Sequence, residues 1–281
     1  MKHTAVIYHR DCLDGFTAAW AAWKKFGAKA EYFPVEPEVL PDAPLRGKDI
    51  FILDNSYPGA VLAKLVLDNR SVTVIDHHIS ARPHLARATK AIFDNGHSGC
   101  VLAWQFFQDG KPLPKLCRYV EDVDLWRFAI SNSRAVAAAI ETELFIFERW
   151  NRIAKELESV RARKRLIERG SLVLEYQKGL VQKIASRAEA VIFAGRKTFA
   201  VNSPVFSSEI GAELVKRKPP IGIVWREQEE RLCVSLRSDG SVNVADIAQR
   251  FRGGGHRAAS GFCLPIGTPL PWKRIKQKKA L

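Results

Sequence analysis

Several features are missing from this 281-residue chain, and each absence narrows the reading. No run of about 18 apolar residues exists, the length a helix needs to cross a bilayer, so no membrane association is expected. The opening MKHTAVIYHRD turns polar too soon for a signal peptide's apolar region, which makes a cytoplasmic protein the expectation. The five cysteines (Cys12, Cys100, Cys117, Cys233 and Cys263) are odd in number, scattered and never spaced C-x-x-C. That pattern argues against a zinc ribbon or redox pair and for mostly reduced core residues. Internal repeats are lacking too, and the only biased segment is the basic end KRIKQKKAL.

What is present suffices for a sizeable core and two domains: 47% of the residues are hydrophobic and 26% charged. The net charge of +14 is unevenly placed. Residues 1–130 hold 16 Lys and Arg against 15 Asp and Glu, whereas residues 131–281 hold 28 against 15. Such asymmetry suits a polyanionic partner, because cations near phosphates gain from counterion release. A solvated basic helix and tail would give the same count.

The first half alternates strand-like and helix-like segments. TAVIYH, KDIFILDNS, SVTVIDHH and KAIFD read as strands; GFTAAWAAWKKFG, GAVLAKLVLDN and SGCVLAWQFFQDG read as helices. This rhythm predicts an α/β domain over 1–134 with a mainly parallel sheet, where ligands collect at the carboxyl ends of strands. Residues 135–188 are rich in Ala, Glu, Lys, Arg and Leu with few breakers, and read as a helical connector that could carry a dimer interface. Strands and helices return over 189–270, a smaller α+β domain, and 271–281 form the basic tail.

Three early strands end on potential metal ligands: His9 with Asp11 and Asp14 behind it, Asp54, and the triplet Asp76-His77-His78. Asp122 and Asp124 follow in YVEDVDLW. A lone aspartate after a strand is often only a turn former or helix cap. Two histidines and an aspartate directly after an apolar strand have no capping reason. Such a mixed oxygen and imidazole set suits Mn²⁺, Mg²⁺, Fe²⁺ or Zn²⁺ better than Ca²⁺. Its chemistry is two-metal hydrolysis, in which a shared carboxylate holds two cations about 4 Å apart around a water and a phosphate.

In this order, HRDCLDG, ILDNS, VIDHH and EDVDLW resemble the motifs of the DHH phosphoesterase superfamily, and GGGHRAASGF resembles the glycine-rich signature of the DHHA1 domain that follows the catalytic domain in many members. The resemblance covers nearly the whole chain outside the central helices and the basic tail. It implies an N-terminal DHH domain with a parallel sheet, a helical connector and a C-terminal α+β DHHA1 domain. It further implies two Mn²⁺ ions, with Mg²⁺ or another divalent cation as alternatives. His9, Asp14, Asp54 and His77 would be ligands, Asp54 bridging both ions. Asp76 would orient an imidazole, and His78 would face the scissile phosphate. The fourth motif offers Asp122 or Asp124, only one of which is expected to bind metal. Members usually carry Asp-x-Asp-Gly in the first motif, whereas this chain has Cys12-Leu13-Asp14-Gly15. Asp11 is expected to supply the missing carboxylate; Cys12 as a softer ligand, a weakened site or an inert buried cysteine are the alternatives.

In the second domain the resemblance assigns Gly253, Gly254, Gly255 and His256 to the terminal nucleotide of a substrate. Glycines let backbone N–H groups approach an anion without obstruction. Arg237 is a plausible bidentate phosphate partner or an ordinary exposed arginine, and Arg257 could reinforce the anion site. Ser98, before a helix, is expected to cap it; His97 is left out of the metal site, and Trp126 is expected to pack the domain.

The leading expectation is a metal-dependent hydrolase of the oligoribonuclease type, cutting phosphoester bonds in short RNA or small nucleotides such as linear dinucleotides or 3′-phosphoadenosine 5′-phosphate. Inorganic pyrophosphatase is the enzyme alternative, and a nucleotide- or RNA-binding protein with a degenerate site is the non-enzymatic one.

Overall fold

The structure, a computed structural model, describes residues 2–228 and 230–275. It comprises two compact units, Met1–Leu174 and Glu175–Leu281. The first contains β1 (Thr4–His9), α1 (Leu13–Phe26), β2 (Ala30–Val35), β3 (Asp49–Leu53), α2 (Gly59–Asp68), β4 (Ser71–Asp76), β5 (Lys90–Phe93), α3 (Gly99–Phe107), α4 (Lys115–Asp124), α5 (Ser133–Glu141) and α6 (Phe147–Glu158). The division falls within α7 (Val160–Ala185).

Its sheet runs β2-β1-β3-β4-β5, every neighbouring pair parallel. Near-continuous apolar strands are what a parallel sheet covered on both faces demands. Val6 and Tyr8 join the core formed with α1 and α3, while Ala5 and Ile7 join the opposite core around Leu62 and Leu65 of α2. From β1 the chain goes outward to β2 and then crosses to β3 on the other side. The carboxyl ends of β1 and β3 therefore flank the switch point where open α/β sheets bind ligands.

Sequence patterning alone does not reveal β2; its AEYFPV pattern is weak, and Pro34 is tolerated because β2 is an edge strand. The expected connector also needs correction, since α5 and α6 are walls of the first core. Trp150 is fully buried, donates from Nε1 to Thr17 Oγ1 at 3.0 Å, and meets the Phe16 ring edge-on at 4.7 Å. Truncating such an aromatic costs about 3–5 kcal/mol, so these helices hold the unit together.

The second unit has β6 (Glu189–Phe193), β7 (Arg196–Asn202), α8 (Ser207–Arg217), β8 (Ile221–Gln228), β9 (Arg231–Ser238), α9 (Val244–Gln249), β10 (Gly254–His256), β11 (Ala259–Pro265) and β12 (Lys273–Arg274). They form one mixed sheet, β10-β11-β9-β8-β7-β6-β12, in which β7 and β8 are parallel. The expected tail begins inside this fold. Trp272 is buried, β12 pairs with β6, and Arg274 Nε lies 2.7 Å from Glu189 Oε2; residues 276–281 of that tail lie outside the described residues. Cys233 and Cys263 stand directly opposite in β9 and β11, with Cα atoms 4.1 Å apart, and form a disulfide. The other three cysteines are thiols, as the scattered spacing suggests.

Candidate metal centre

Each acidic or imidazole group of the site hangs from a strand end or a helix end. His9 closes β1, and Asp54 follows β3 with a left-handed φ of 51° while its N–H bonds Ile75 O at 2.9 Å. Asp76 closes β4 and delivers His77 and His78 directly after it. Asp14 lies in the first turn of α1, and Asp124 is the last residue of α4.

These groups converge. Asp54 Oδ2 lies 3.5 Å from His9 Nδ1, and the Cys12 thiol points at the same oxygen from 3.6 Å. The other oxygen, Oδ1, is 3.2 Å from His77 Nε2. That imidazole nitrogen is 3.7 Å from Asp14 Oδ2 and 3.6 Å from Asp124 Oδ2. Thus His9, Cys12 and Asp54 form one donor group and Asp14, His77 and Asp124 another, the atoms of each within 4.8 Å. Asp54 turns one oxygen to each.

Asp76 plays a different part. Its Oδ1 accepts the N–H groups of His77 at 2.7 Å and His78 at 3.2 Å, and lies 2.7 Å from His78 Nδ1. One carboxylate therefore fixes the turn after β4 and the orientation of the His78 ring.

Burial puts the site under electrostatic stress. It pushes the Asp14 carboxyl up to about 8, the Asp54 and Asp124 charges adding to it. Asp124 rises to about 6 by burial and then by the Asp54 charge. Burial opposes ionisation of Asp54 as well, yet the His77 and His9 imidazoles hold it well below the usual carboxylate range. Burial works against charge on His78, but Asp76 raises it to about 10. Asp54 Oδ1 is buried and accepts no hydrogen bond of good geometry. A carboxylate oxygen left so, between further carboxylates and imidazoles, fits a divalent cation, whose charge would remove the mutual repulsion.

Two expected ligands fall elsewhere. Asp11 has a left-handed φ of 53°, its side chain is 84% exposed, and its neighbour is Arg10 at 3.7 Å. The residue that enters the donor group is Cys12, the softer alternative. Asp122 is buried but occupied: its carboxylate accepts Ala129 N at 2.8 Å and Ile130 N at 3.2 Å, fastening the chain after α4. Asp124 is thus the member of that pair in the cluster.

The start of α3 completes the site in a way that sequence patterning misses. Gly99 N and Cys100 N donate to Asp14 at 2.6 and 2.9 Å, so the anion at this helix N-terminus is the protein's own carboxylate. A Cβ on Gly99 would stand 2.8 Å from Asp54 Cβ and 2.9 Å from Asp14 Oδ2, which explains glycine there. Ser98 does not cap the helix; its Oγ lies against Cys100 Sγ at 3.3 Å. Asp14 caps the helix instead, while Glu121 takes Ser98 N at 3.0 Å and holds His97 Nδ1 at 3.0 Å. The Ser98-Gly99 pair before an apolar helix was the available signal, but nothing in the sequence tied it to Glu121.

In the second unit Arg237 lies on β9, partly buried rather than exposed, and its guanidinium donates to the neutral oxygens of Ser208 and Leu236. Burial holds its pKa below the usual arginine value. Gly253, Gly254 and Gly255 are not a loose turn. Gly254, Gly255 and His256 form β10 against Gly261, Ser260 and Ala259. A Cβ on Gly253 would meet Gly261 O at 2.1 Å, and Gly255 has a φ of 129°. These two glycines therefore serve strand packing as well as any ligand. Arg257 bonds Gly240 O through Nε at 3.1 Å.

Comparison with known proteins bears on the fold and on the second unit. The DHHA1 domain family matches residues 206–268. An uncharacterized protein, R106 of Acanthamoeba polyphaga mimivirus, is 29% identical over 297 residues, covering 96% of this chain and 70% of the relative. Among solved structures, the DHH domain of a member of the s1p family of ribosomal proteins superposes with a TM-score of 0.61 at 15% identity, over 98% of this chain and 83% of that one. A pGpG-specific phosphodiesterase, PggH from Vibrio cholerae, superposes with a TM-score of 0.48 at 14% identity, over 94% of each chain. Residues 206–268 thus match the DHHA1 domain family, and the chain as a whole shares the fold of a protein that contains a DHH domain.

Proposed function

We propose that this protein is a metal-dependent phosphoesterase that hydrolyses short oligoribonucleotides or small nucleotides. The observation that carries the reading is Asp54, a buried carboxylate whose two oxygens face separate donor groups. His9, Cys12 and Asp54 would hold one divalent cation, and Asp14, His77, Asp124 and Asp54 a second; Mn²⁺ is the proposed ion. When bound, such a pair supplies an acidified water and a clamp for phosphate oxygens.

The chain's own groups account for the rest. Gly99 N and Cys100 N hold Asp14 in place before any ligand arrives, and Asp76 does the same for His78. Because Asp76 keeps the His78 imidazole protonated at neutral pH and engages Nδ1, Nε2 is the nitrogen that would donate to a phosphate or leaving oxygen. In the DHHA1 domain, the partly buried Arg237 guanidinium beside the first turn of α8 supports recognition of a second anionic group.

The test is release of mononucleotide or phosphate from short 5′-phosphorylated RNAs, linear and cyclic dinucleotides, 3′-phosphoadenosine 5′-phosphate and pyrophosphate, with Mn²⁺ and with chelator. Turnover that needs Mn²⁺ and falls at least about 100-fold in His77→Ala is expected, since a lost ligand removes one cation's share of catalysis. Binding without turnover on every substrate would instead favour a nucleotide-binding protein, a reading that rests on the thiol of Cys12 standing where a carboxylate is usual.

A further inference from the structure

Of the seven tryptophans, Trp126 alone is exposed, at 44%. It stands two residues after Asp124, so their Cα atoms are at most about 7 Å apart. Its backbone is held in a conformation bulky residues avoid: φ is 56°, and Phe128 at 51° and Asn132 at 63° share it within the same short segment. Each such conformation is costly and persists only where surrounding bonds over-determine it. Here they do. Trp126 N bonds Val123 O at 3.0 Å, Arg127 N and Phe128 N bond Asp122 O at 2.9 and 3.2 Å, and the Asp122 carboxylate takes the next two amides. Arg127 adds bonds to Glu121 Oε1 at 3.1 Å and to Gly96 O.

The exposed ring is also backed by neighbours. Phe128 meets Trp126 edge-on at 4.8 Å, and the exposed Arg134 guanidinium lies 3.7 Å from the Phe128 centroid and 5.6 Å from that of Trp126. A chain that only needed packing here would bury the indole, as it buries Trp20, Trp104, Trp150 and Trp272. Instead, hydrogen bonds hold an exposed aromatic face in one place, one helix end from the candidate metal ligands. A phosphate and the base of the same nucleotide are separated by a distance of that order.

We infer that Trp126, supported by Phe128 and Arg134, is a stacking platform for a nucleobase of the substrate. The inference rests on the nucleotide-phosphoesterase reading and adds a base-binding site to it. Stacking on an aromatic side chain is tolerant of base identity, so the platform accepts any base while rejecting base-free phosphoesters.

The test compares linear diadenylate with its abasic counterpart on the full chain with Mg²⁺ or Mn²⁺. Trp126→Ala is expected to raise KM for diadenylate about tenfold, with kcat within about twofold and KM for the abasic compound unchanged. Trp126→Phe should recover most of the loss, which separates a lost ring from a damaged fold. An equal rise for both compounds, or none for either, would overturn the platform. Should the wild type cleave neither compound, diadenylate is not its substrate, and the platform is tested by binding alone. Calorimetric titration with AMP and with ribose 5-phosphate then decides the platform: AMP binding weakened only in Trp126→Ala upholds it, and AMP binding unaffected by the substitution overturns it.

Discussion

Cys12 enters the first donor group with its thiol 3.6 Å from Asp54 Oδ2, while Asp11 turns to solvent one residue earlier. Burial and then the Asp54 charge push that thiol well above its ordinary pKa, so as a thiol it is a poor match for a hard cation. Cys12→Asp should therefore tighten Mn²⁺ binding at the weaker position by at least about tenfold, and Asp11→Ala should leave affinity and stoichiometry alone. Counting unbound Mn²⁺ by electron paramagnetic resonance checks both; loss of an ion in Asp11→Ala would sink the assignment. The sequence placed both residues in the right motif. It could not rank them, because the left-handed turn at Asp11 that sends its side chain outward depends on β1 and α1 being already packed.

At the scale of elements, α4 shows why one motif holds two aspartates with unlike tasks. Residues two apart on a helix point about 160° away from each other, so Asp122 and Asp124 do not serve the same ion. Asp122 secures the chain leaving α4, and Asp124 meets His77. A second junction joins α5, α6 and α7. Glu143, after α5, accepts two bonds of 2.7 Å from Arg149 of α6, and Arg169 of α7 bonds both Glu143 and Ala139 O. The Arg149 guanidinium holds the Glu143 carboxyl at about 2, below its value of roughly 4.3 in an unfolded chain. The carboxyl therefore contributes stability in full above about pH 4.5, and that contribution drains away as pH falls towards 2. Glu143→Gln should lower stability by about 2 kcal/mol at pH 7, and the gap from wild type should close between pH 4.5 and 2. Urea unfolding across that range is the measurement, and a gap independent of pH would refute the clamp.

On the scale of the whole molecule, the site is a place where metal-free folding works against itself, since burial and the Asp54 charge both raise Asp14 and Asp124. A cation that binds the folded chain in excess of its Kd should stabilise it by roughly 2–3 kcal/mol at about a hundredfold excess. Calorimetric scans should then show the midpoint rising by several degrees with Mn²⁺ and returning with chelator, and Asp54→Ala should abolish the rise. An identical midpoint with and without Mn²⁺ would mean that the carboxylates do not meet on a metal. No helix among the described residues is long and apolar enough to cross a membrane, in keeping with the lack of any long apolar run.

The sequence by itself determined the parallel sheet, the smaller α+β second domain, and the ordered presentation of His9, Asp14, Asp54 and Asp76-His77-His78 at strand and helix starts and ends. These follow from local periodicity and from ligands sitting directly after apolar strands, information that lies within a few residues. Only the tertiary structure decided between Cys12 and Asp11, and between Asp124 and Asp122. It also tied Gly99 and Glu121 to the site, turned α5 and α6 from a connector into core, paired Cys233 with Cys263 and exposed Trp126. Each of those depends on which way a side chain faces once distant segments have packed, such as the 85-residue separation across which Gly99 meets Asp14. Burial and hydrogen-bond partners are properties of the assembled fold, and no local pattern encodes them.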